Sequence, residues 1–414
     1  NIFAYLTLIL VVAAFTDICA GTFAYDAAKP EAITGARAGT ASILFIFLAM
    51  GFGYFVYRKG AGITVSTVVG VALLFFCIWI GYQFPFIKLS KFAWDILLIV
   101  YIYLASTLPV WLLLQPRDYL CSFLLYAMLA GAVIGVLIVR PSLAIPASVG
   151  FTVGEGVKAS YLFPMLFVTV ACGAVSGFHS LVASGTSSKQ VDNEKDTKLI
   201  GYGAMLIEGV VAIIALISVS YVAGAQGTPA QIFAAGVAEF MSSFGLPVDV
   251  GVVFVILAFS AFALTSLDTA TRIGRYMFQE MTTKADGTKT ALNNMHVATA
   301  VTVGLSTLLL TYGYQKIWPI FGSANQLLAG LSLLAVSAWL AKSGKKNIMT
   351  VVPMVFMFCV TLTALVFVAR NNFAGGNVVI GTLASILFVL AIVLIITTVK
   401  TFSGDKPKKQ NVDA

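Results

Sequence analysis

Residues 176–216 read SGFHSLVASGTSSKQVDNEKDTKLIGYGAMLIEGVVAIIAL. Two apolar segments are separated here by a serine-rich break, 184–188, and a charged loop, 189–198. His179 lies in the first segment and Glu208 in the second. An ionisable group inside a membrane span is costly and usually faces the interior of a helical bundle or a cavity. The stretch therefore predicts a polar site lined by interrupted membrane helices, as in transporters.

The composition of the whole chain agrees with a membrane protein. Of the 414 residues 59% are hydrophobic and only 10% are charged, and the mean hydropathy is +0.97. Soluble domains carry roughly 25% charged residues, so this composition excludes an ordinary soluble protein. The apolar runs lack the alternation of strands, and in a bilayer the remaining solution is the helix. We therefore predict an all-α polytopic membrane protein.

Windows of ~20 apolar residues locate the predicted spans. There are about twelve of them, some interrupted, at 1–24, 38–57, 64–84, 91–114, 118–139, 159–184, 199–224, 249–270, 291–312, 320–342, 348–369 and 377–401. We take 1–402 as one transporter domain and 403–414 as a cytoplasmic tail. The chain has no initial Met and enters an apolar run at once, so we expect further helices before it.

Charge sets the orientation. Of the 25 Lys and Arg residues, 17 follow even-numbered spans, so the even loops and the C-terminus are predicted to be cytoplasmic. The net charge of +8 is explained by this membrane topology and calls for no nucleic-acid partner. The five cysteines stand alone within apolar spans and indicate packing residues, with neither disulfides nor a metal site.

The residues around His179 form the first candidate site. Ser176, Gly177 and Ser184 are small and would allow close approach of the backbone to a substrate. A histidine titrates near neutral pH, which would suit proton coupling. Two interpretations of His179 stay open, a substrate or proton role and a satisfied core histidine, and Glu208 leaves the same choice.

The tenth span opens with WPIFGSANQ. Pro319 and Gly322 are predicted to break the backbone, which would leave Asn325 and Gln326 just inside a helix N-terminus. The free N–H groups and the dipole of such an end favour a carboxylate. Both amides are therefore predicted substrate residues, and the alternative for Asn325 is a polar contact between helices.

Four further residues are candidates for a coupling ion. Asp17 in the first span is either an ion or proton site or a carboxylate bonded to a neighbouring hydroxyl. Thr265, Ser266 and Asp268 could supply oxygen ligands to Na⁺. The alternative for Asp268 is an ion pair with Arg272, four residues further along the same helix.

Other positions are read as structural. Pro109 is predicted to kink the fourth span and Pro116 to stop it. The basic residues Arg117, Arg272 and Arg275 are predicted to anchor helices at the membrane edge. The alternatives are a role in gating for Arg117 and attraction of an anionic substrate for Arg272 and Arg275.

Two pairs indicate local geometry. Gly131 and Gly135, four residues apart, indicate close helix packing. Thr228 followed by Pro229 is typical of the start of a helix.

Five stretches together resemble the carbon starvation protein family, the CstA-type membrane transporters. They are LLQPRDYL (113–120), SGFHSLVASGTSSKQ (176–190), IGYGAMLIEG (200–209), FALTSLDTATRIGRYMFQE (262–280) and WPIFGSANQLLAGLSLL (318–334). The resemblance extends over roughly residues 1–400. Family members carry further N-terminal spans, including a glycine-rich segment with a histidine pair, to which nothing here corresponds.

The resemblance implies an inverted-repeat fold like that of the amino acid–polyamine–organocation transporters. It also implies uptake of short peptides or pyruvate across the bacterial inner membrane during carbon starvation. We expect alternating access coupled to protons, with His179 and Glu208 as the titrating groups. A Na⁺-coupled transporter of another organic solute and a passive channel stay open.

An enzyme is not expected, and an intramembrane hydrolase with a dyad of His179 and Ser184 is the least favoured alternative. The two residues are five apart, which turns them off a common helix face, and no HExxH motif occurs. The nucleotide-binding motif GxxxxGK[ST] is also absent from the sequence, which excludes transport driven by ATP within this chain. We predict no catalytic residue, no metal and no cofactor beyond the coupling ion. The partners are a small-molecule substrate and the lipid bilayer, and the sequence predicts no oligomeric state.

Overall fold

The computed structural model describes residues 1–26, 28, 33–153, 160–284 and 290–404, without the side chains of 153 and 398–404. These residues form the helices α1 Ile2–Phe23, α2 Ile33–Gly53, α3 Ile63–Gln83, α4 Lys91–Thr107, α5 Leu114–Val139, α6 Phe167–Val170, α7 Gly177–Gly185, α8 Asp196–Lys198, α9 Ala204–Tyr221, α10 Pro229–Ser242, α11 Val248–Met281, α12 Met295–Leu310, α13 Tyr314–Lys342, α14 Ile348–Ala374 and α15 Val378–Gly404. One antiparallel pair joins β1 Thr152–Val153 to β2 Ser160–Tyr161.

Ten helical segments of the described chain are long and apolar enough to cross a membrane. They correspond to ten of the twelve predicted spans, which confirms the polytopic α-helical class. The predicted fourth and ninth spans are the shorter helices α4, with 17 residues, and α12, with 16. The count of twelve is therefore not confirmed. Residues 405–414 of the predicted tail lie outside the described residues.

Contacts divide the chain into two compact units. The first comprises Asn1–Leu10, Ser148–Met205 and Gln315–Ala414, and the second comprises Val11–Ala147 and Leu206–Tyr314. Each unit therefore joins segments that are far apart in the sequence.

The second unit is built on α11, a helix of 34 residues against which α2, α4, α5, α10 and α12 pack. Its interior face is apolar for most of its length, but Asp268, Arg272 and Arg275 are also buried. Charged side chains are rarely buried without partners, so these three require compensating groups nearby.

The predicted close packing at Gly131 and Gly135 is confirmed, and the partner is α10. A Cβ on Gly135 would lie 2.4 Å from the carbonyl oxygen of Phe240, and one on Gly131 would lie 2.8 Å from Met241. The predicted start of α10 is also confirmed. The Thr228 side chain accepts from the N–H of Gln231, whose side chain accepts in return from the N–H of Thr228.

The structure corrects the prediction for Pro116. Helix α4 ends at Thr107, because the residue before Pro109 is disfavoured in helical conformation. Helix α5 then begins at Leu114, so Pro116 lies in its first turn, where the missing N–H would have had no helical acceptor. Pro116 thus starts a helix instead of stopping one.

In the first unit, the predicted break at Pro319 and Gly322 is wrong. Helix α13 is continuous from Tyr314 to Lys342 and contains Pro319. Gly322 serves packing instead, because a Cβ there would lie 3.0 Å from the carbonyl oxygen of Val168. Asn325 and Gln326 consequently lie within a helix and not at its N-terminus.

The predicted interruption after His179 is confirmed, since α7 ends at Gly185. A second interruption, which the sequence analysis did not predict, precedes α7. Residues 174–176 leave the helical path, and Ser176 in extended conformation becomes the N-cap of α7. The N-terminus of α7 therefore lies beside the predicted site.

Candidate transport site

The predicted site residues are distributed over both units. Ser176, Gly177, His179, Ser184, Asn325 and Gln326 belong to the first, and Asp17, Glu208, Thr265, Ser266 and Asp268 belong to the second. The polar contacts form one cluster in the first unit and two separate clusters in the second.

In the first unit, Asn325 of α13 holds the N-terminus of α7. Its Oδ1 accepts from the N–H of Phe178 at 2.7 Å, and its Nδ2 donates to Ser176 Oγ at 3.1 Å. Ser176 Oγ in turn accepts from the N–H of His179 at 3.3 Å. Gly177 permits this approach, because a Cβ there would lie 2.4 Å from the carbonyl oxygen of Asn325.

These bonds favour the second interpretation of Asn325, the polar contact between helices. A helix leaves its first N–H groups without internal partners, and an amide oxygen from a neighbouring helix can satisfy them. Asn325 of α13 therefore caps the N-terminus of α7 and stabilises the interruption that precedes this helix.

Gln326, the next residue, is different. Its side chain is fully buried, yet neither its Oε1 nor its Nε2 has a hydrogen-bond partner within the described part of the chain. Buried amides are almost always paired, so an unpaired one in a native structure calls for an explanation. Gln326 is consequently the predicted substrate residue with the most hydrogen-bonding capacity left over.

Helix α7 presents His179 and Ser184 at exposed positions. The Ser184 hydroxyl donates to the carbonyl of Leu181 at 3.2 Å, within its own helix. The predicted absence of a shared helix face holds, because five residues turn a helix by about 140° past one full circle. Glu208 lies on α9, half-buried, within the second unit.

In the second unit, a network of buried side chains joins α4, α5 and α11. Arg117, with 1% of its surface exposed, donates through Nη1 to Asp268 Oδ2 at 2.5 Å and also to the hydroxyl of Tyr101. Tyr101 donates to the same Asp268 oxygen at 2.8 Å. Arg117 Nη2 donates to Thr265 Oγ1 at 3.1 Å and lies 3.4 Å from Asp118 Oδ1, to which Thr265 also donates at 2.9 Å.

This network corrects two predictions. Arg117 is a buried partner of Asp268 and not an anchor at the membrane edge. Asp268 likewise pairs with Arg117 and not with Arg272 of its own helix. Ser266 is half-buried next to Thr265.

The two arginines that follow on α11 are also buried. Arg272 donates to the carbonyls of Ala105 at 2.6 Å and Leu108 at 2.9 Å, and Arg275 donates to that of Ser106 at 2.6 Å. These carbonyls belong to the last turn of α4, which has no internal donors left for them. The predicted role as membrane-edge anchors is therefore wrong, and both arginines cap α4.

Asp17 belongs to a separate contact of the second unit. Its carboxylate forms an ion pair with Lys91 of α4 and accepts from the backbone N–H of Tyr314 at 2.8 Å. Asp95 Oδ2 lies 3.7 Å from the same ammonium group. The carboxylate is thus held by an ammonium and a backbone amide, and the predicted alternative of a neighbouring hydroxyl is not what binds it.

The sequence analysis did not identify Tyr101 or Lys91 as candidate site residues, and it predicted Arg117 to be an anchor at the membrane edge. A usable signal was present for Arg117, because Pro116 is tolerated in the first turn of a helix and would have placed the arginine inside the span. Within the described residues, no three His, Cys, Asp or Glu side chains are arranged so that they could hold a metal ion.

Comparisons with known proteins agree with the motifs. The family model "Carbon starvation protein CstA" matches residues 1–226 and 221–364. A protein of Bacillus subtilis named peptide transporter CstA is 30% identical over 413 residues, which cover 86% of this chain and 69% of the relative. The pyruvate/proton symporter BtsT of Escherichia coli is 31% identical over 417 residues, which cover 77% of this chain and 58% of the symporter.

The chain thus spans little more than half the length of the symporter. Among solved structures, a mutant of the manganese transporter of Eremococcus coleocola superposes with a TM-score of 0.47 and 11% identity, covering 97% of this chain and 87% of the other.

Proposed function

The chain belongs to the carbon starvation protein CstA family, and from this premise we propose that it is a secondary active transporter for uptake of small carboxylate-bearing nutrients. Short peptides and pyruvate are the proposed substrates, because similar proteins are named for transport of each. Protons are the proposed coupling ion, because one of these relatives is named a proton symporter.

The observation that carries this proposal is the buried pair of Arg117 and Asp268. Both residues lie in candidate membrane spans, and their side chains are 1% and 2% exposed. Ionisable groups at such positions are expensive to bury and mark ion or proton pathways in membrane proteins.

The mechanism we propose is alternating access. A substrate carboxylate would be received in the first unit by Gln326, whose amide is buried with both polar atoms unpaired in the described chain. The interruptions on either side of α7 are the kind of backbone break that forms transporter sites. An inverted-repeat arrangement of the helices belongs to this proposal.

The proposed location is the bacterial inner membrane with the C-terminus in the cytoplasm, in keeping with the distribution of Lys and Arg. The proposed partners are the substrate and the bilayer. We assign the chain no catalytic step and no cofactor beyond the coupling ion.

The test is uptake by the full-length protein in proteoliposomes. Labelled pyruvate and a labelled dipeptide would be offered with an inward proton gradient, with an inward Na⁺ gradient and with neither. We expect accumulation above the external concentration under the proton gradient alone, abolished by a protonophore.

Three outcomes would contradict the proposal. Equilibration without accumulation would indicate a channel, and accumulation under the Na⁺ gradient alone would indicate the other coupling ion. No entry of either compound under any gradient would show that the proposed substrates are wrong.

A further inference from the structure

The network around Arg117 contains one cation and two carboxylates. The guanidinium bonds Asp268 through Nη1 and lies 3.4 Å from Asp118 through Nη2. When all three groups are ionised, the cluster carries one negative charge that has no matching positive charge. An uncompensated charge inside an apolar bundle is costly, and binding one proton brings the cluster to neutrality.

The inner carboxylate has an oxygen available for that proton. Asp268 Oδ2 accepts from both Arg117 and Tyr101, but Oδ1 is buried and has no hydrogen-bond partner in the described part of the chain. A proton on Oδ1 would therefore displace no existing contact.

The outer carboxylate is open to the surface. The Asp118 side chain is 36% exposed, whereas that of Asp268 is 2% exposed. Thr265 links the two ends, since its hydroxyl donates to Asp118 Oδ1 and accepts from Arg117. One guanidinium thus connects a partly exposed carboxylate with a fully buried one.

Other ionisable groups around Asp268 are engaged elsewhere or uncharged. Cys19 of α1 and Cys121 of α5 are buried near the cluster. The neighbouring helices also carry Arg37, which lies over the ring of Tyr82, His296, which bonds Tyr103, and the exposed Glu239. On α11 itself, Arg272 and Arg275 bond backbone carbonyls of α4.

A cation is less suited to this place than a proton. The ligands that Na⁺ would need, Thr265 Oγ1 and Asp268 Oδ2, already accept from Arg117. A positive guanidinium in contact with both oxygens repels a second positive ion, whereas a proton bound to a carboxylate oxygen only removes the excess negative charge.

We propose that Asp118, Arg117 and Asp268 form the proton-coupling site of this transporter, in place of His179 and Glu208. The inference rests on the proposed proton-coupled uptake. In the step, one proton enters at Asp118 and one O–H bond forms on a carboxylate oxygen of the pair. The cluster changes from one negative charge to none, and Arg117 is left with a single ionised partner.

The test compares Asp118→Asn and Asp268→Asn with wild type in proteoliposomes of the full-length protein. Each variant leaves one carboxylate for one guanidinium, so no excess charge remains to bind a proton. We expect at least a tenfold loss of accumulation driven by the proton gradient. In Asp118→Asn, which keeps the Arg117–Asp268 pair, exchange of labelled for unlabelled substrate without a gradient should persist. Asp249→Asn, an exposed carboxylate on the same helix, is the matched control and should keep both activities.

Accumulation at the wild-type level in both variants would overturn the inference. If wild type itself accumulates nothing, the proposed function fails, and proton binding is then measured directly. Infrared difference spectra of the purified protein between neutral and mildly acidic pH should show a carboxylic acid band that disappears in Asp118→Asn and in Asp268→Asn and persists in Asp249→Asn. A band unchanged in both cluster variants would refute the site, whatever the transport result.

Discussion

At the scale of single residues, two adjacent amides of α13 have opposite roles. Both polar atoms of the Asn325 side chain are hydrogen-bonded, because its oxygen accepts from the N–H of Phe178 and its nitrogen donates to Ser176. The amide of Gln326 is buried and has no hydrogen-bond partner in the described chain. Leaving a buried polar group unsatisfied costs about 1–3 kcal/mol, while an apolar group of similar shape costs little at such a place. Replacing these two neighbouring amides by apolar side chains is therefore expected to have opposite effects on the stability of the protein.

We predict that Gln326→Leu raises the unfolding temperature of the detergent-solubilised protein and lowers its affinity for substrate at least tenfold. Asn325→Leu is the matched control and should lower the unfolding temperature, because it orphans the N–H of Phe178. Thermal unfolding and the concentration dependence of uptake measure the two effects. A destabilised Gln326→Leu protein would mean that the amide is paired, and unchanged affinity would remove Gln326 from the substrate site.

At the scale of elements, the contact between α5 and α10 depends on backbone proximity. We predict that Gly135→Ala destabilises the protein by about 1–3 kcal/mol, because its Cβ would meet a carbonyl oxygen that cannot move aside without shifting α10. Gly304→Ala on α12 is the control, since no atom of the described residues lies within 4 Å of a Cβ there, and it should be neutral or stabilising. Equal unfolding temperatures for the two variants would contradict this packing.

The elements also show how far one sequence can be interpreted. Apolar runs located ten spans because the bilayer makes segment length and hydropathy decisive. The ion pairs could not be located from the sequence in this way. Asp268 was compared with Arg272 because they are neighbours along a helix, but its partner Arg117 is 151 residues away, and no local pattern reports such a contact. The Pro319 prediction failed because tertiary packing holds α13 together against its local preference.

At the scale of the whole molecule, the two short helices decide the topology. Helices α4 and α12 would be about 25 Å long, slightly less than the ~30 Å hydrocarbon core. If α12 crosses the membrane, the loop after α7 and the loop after α13 lie on the same side, because four crossings separate them. If α12 does not cross, these two loops lie on opposite sides.

We predict the same, cytoplasmic side, because both loops carry clustered lysines. Single cysteines at Gln190→Cys and Ser343→Cys, in a chain with the five native cysteines replaced, should be labelled by an impermeant maleimide only after the cells are opened. Ala374→Cys, at the exposed C-terminal end of α14, is the control and should be labelled in intact cells. Labelling of Gln190→Cys but not Ser343→Cys in intact cells would show that α12 does not cross.

The buried arginines also constrain the order in which the protein can be assembled. Ribosomes add about 5–20 residues per second, so Asp268 follows Arg117 by roughly 8–30 s. Arg272 follows Ala105 by 167 residues, so it is synthesised after a similar delay. During that interval Arg117 of α5 lacks its buried partner Asp268, and the last carbonyls of α4 lack the arginines that bond them. The buried polar contacts of α4 and α5 in the second unit can therefore form only after α11 has been made.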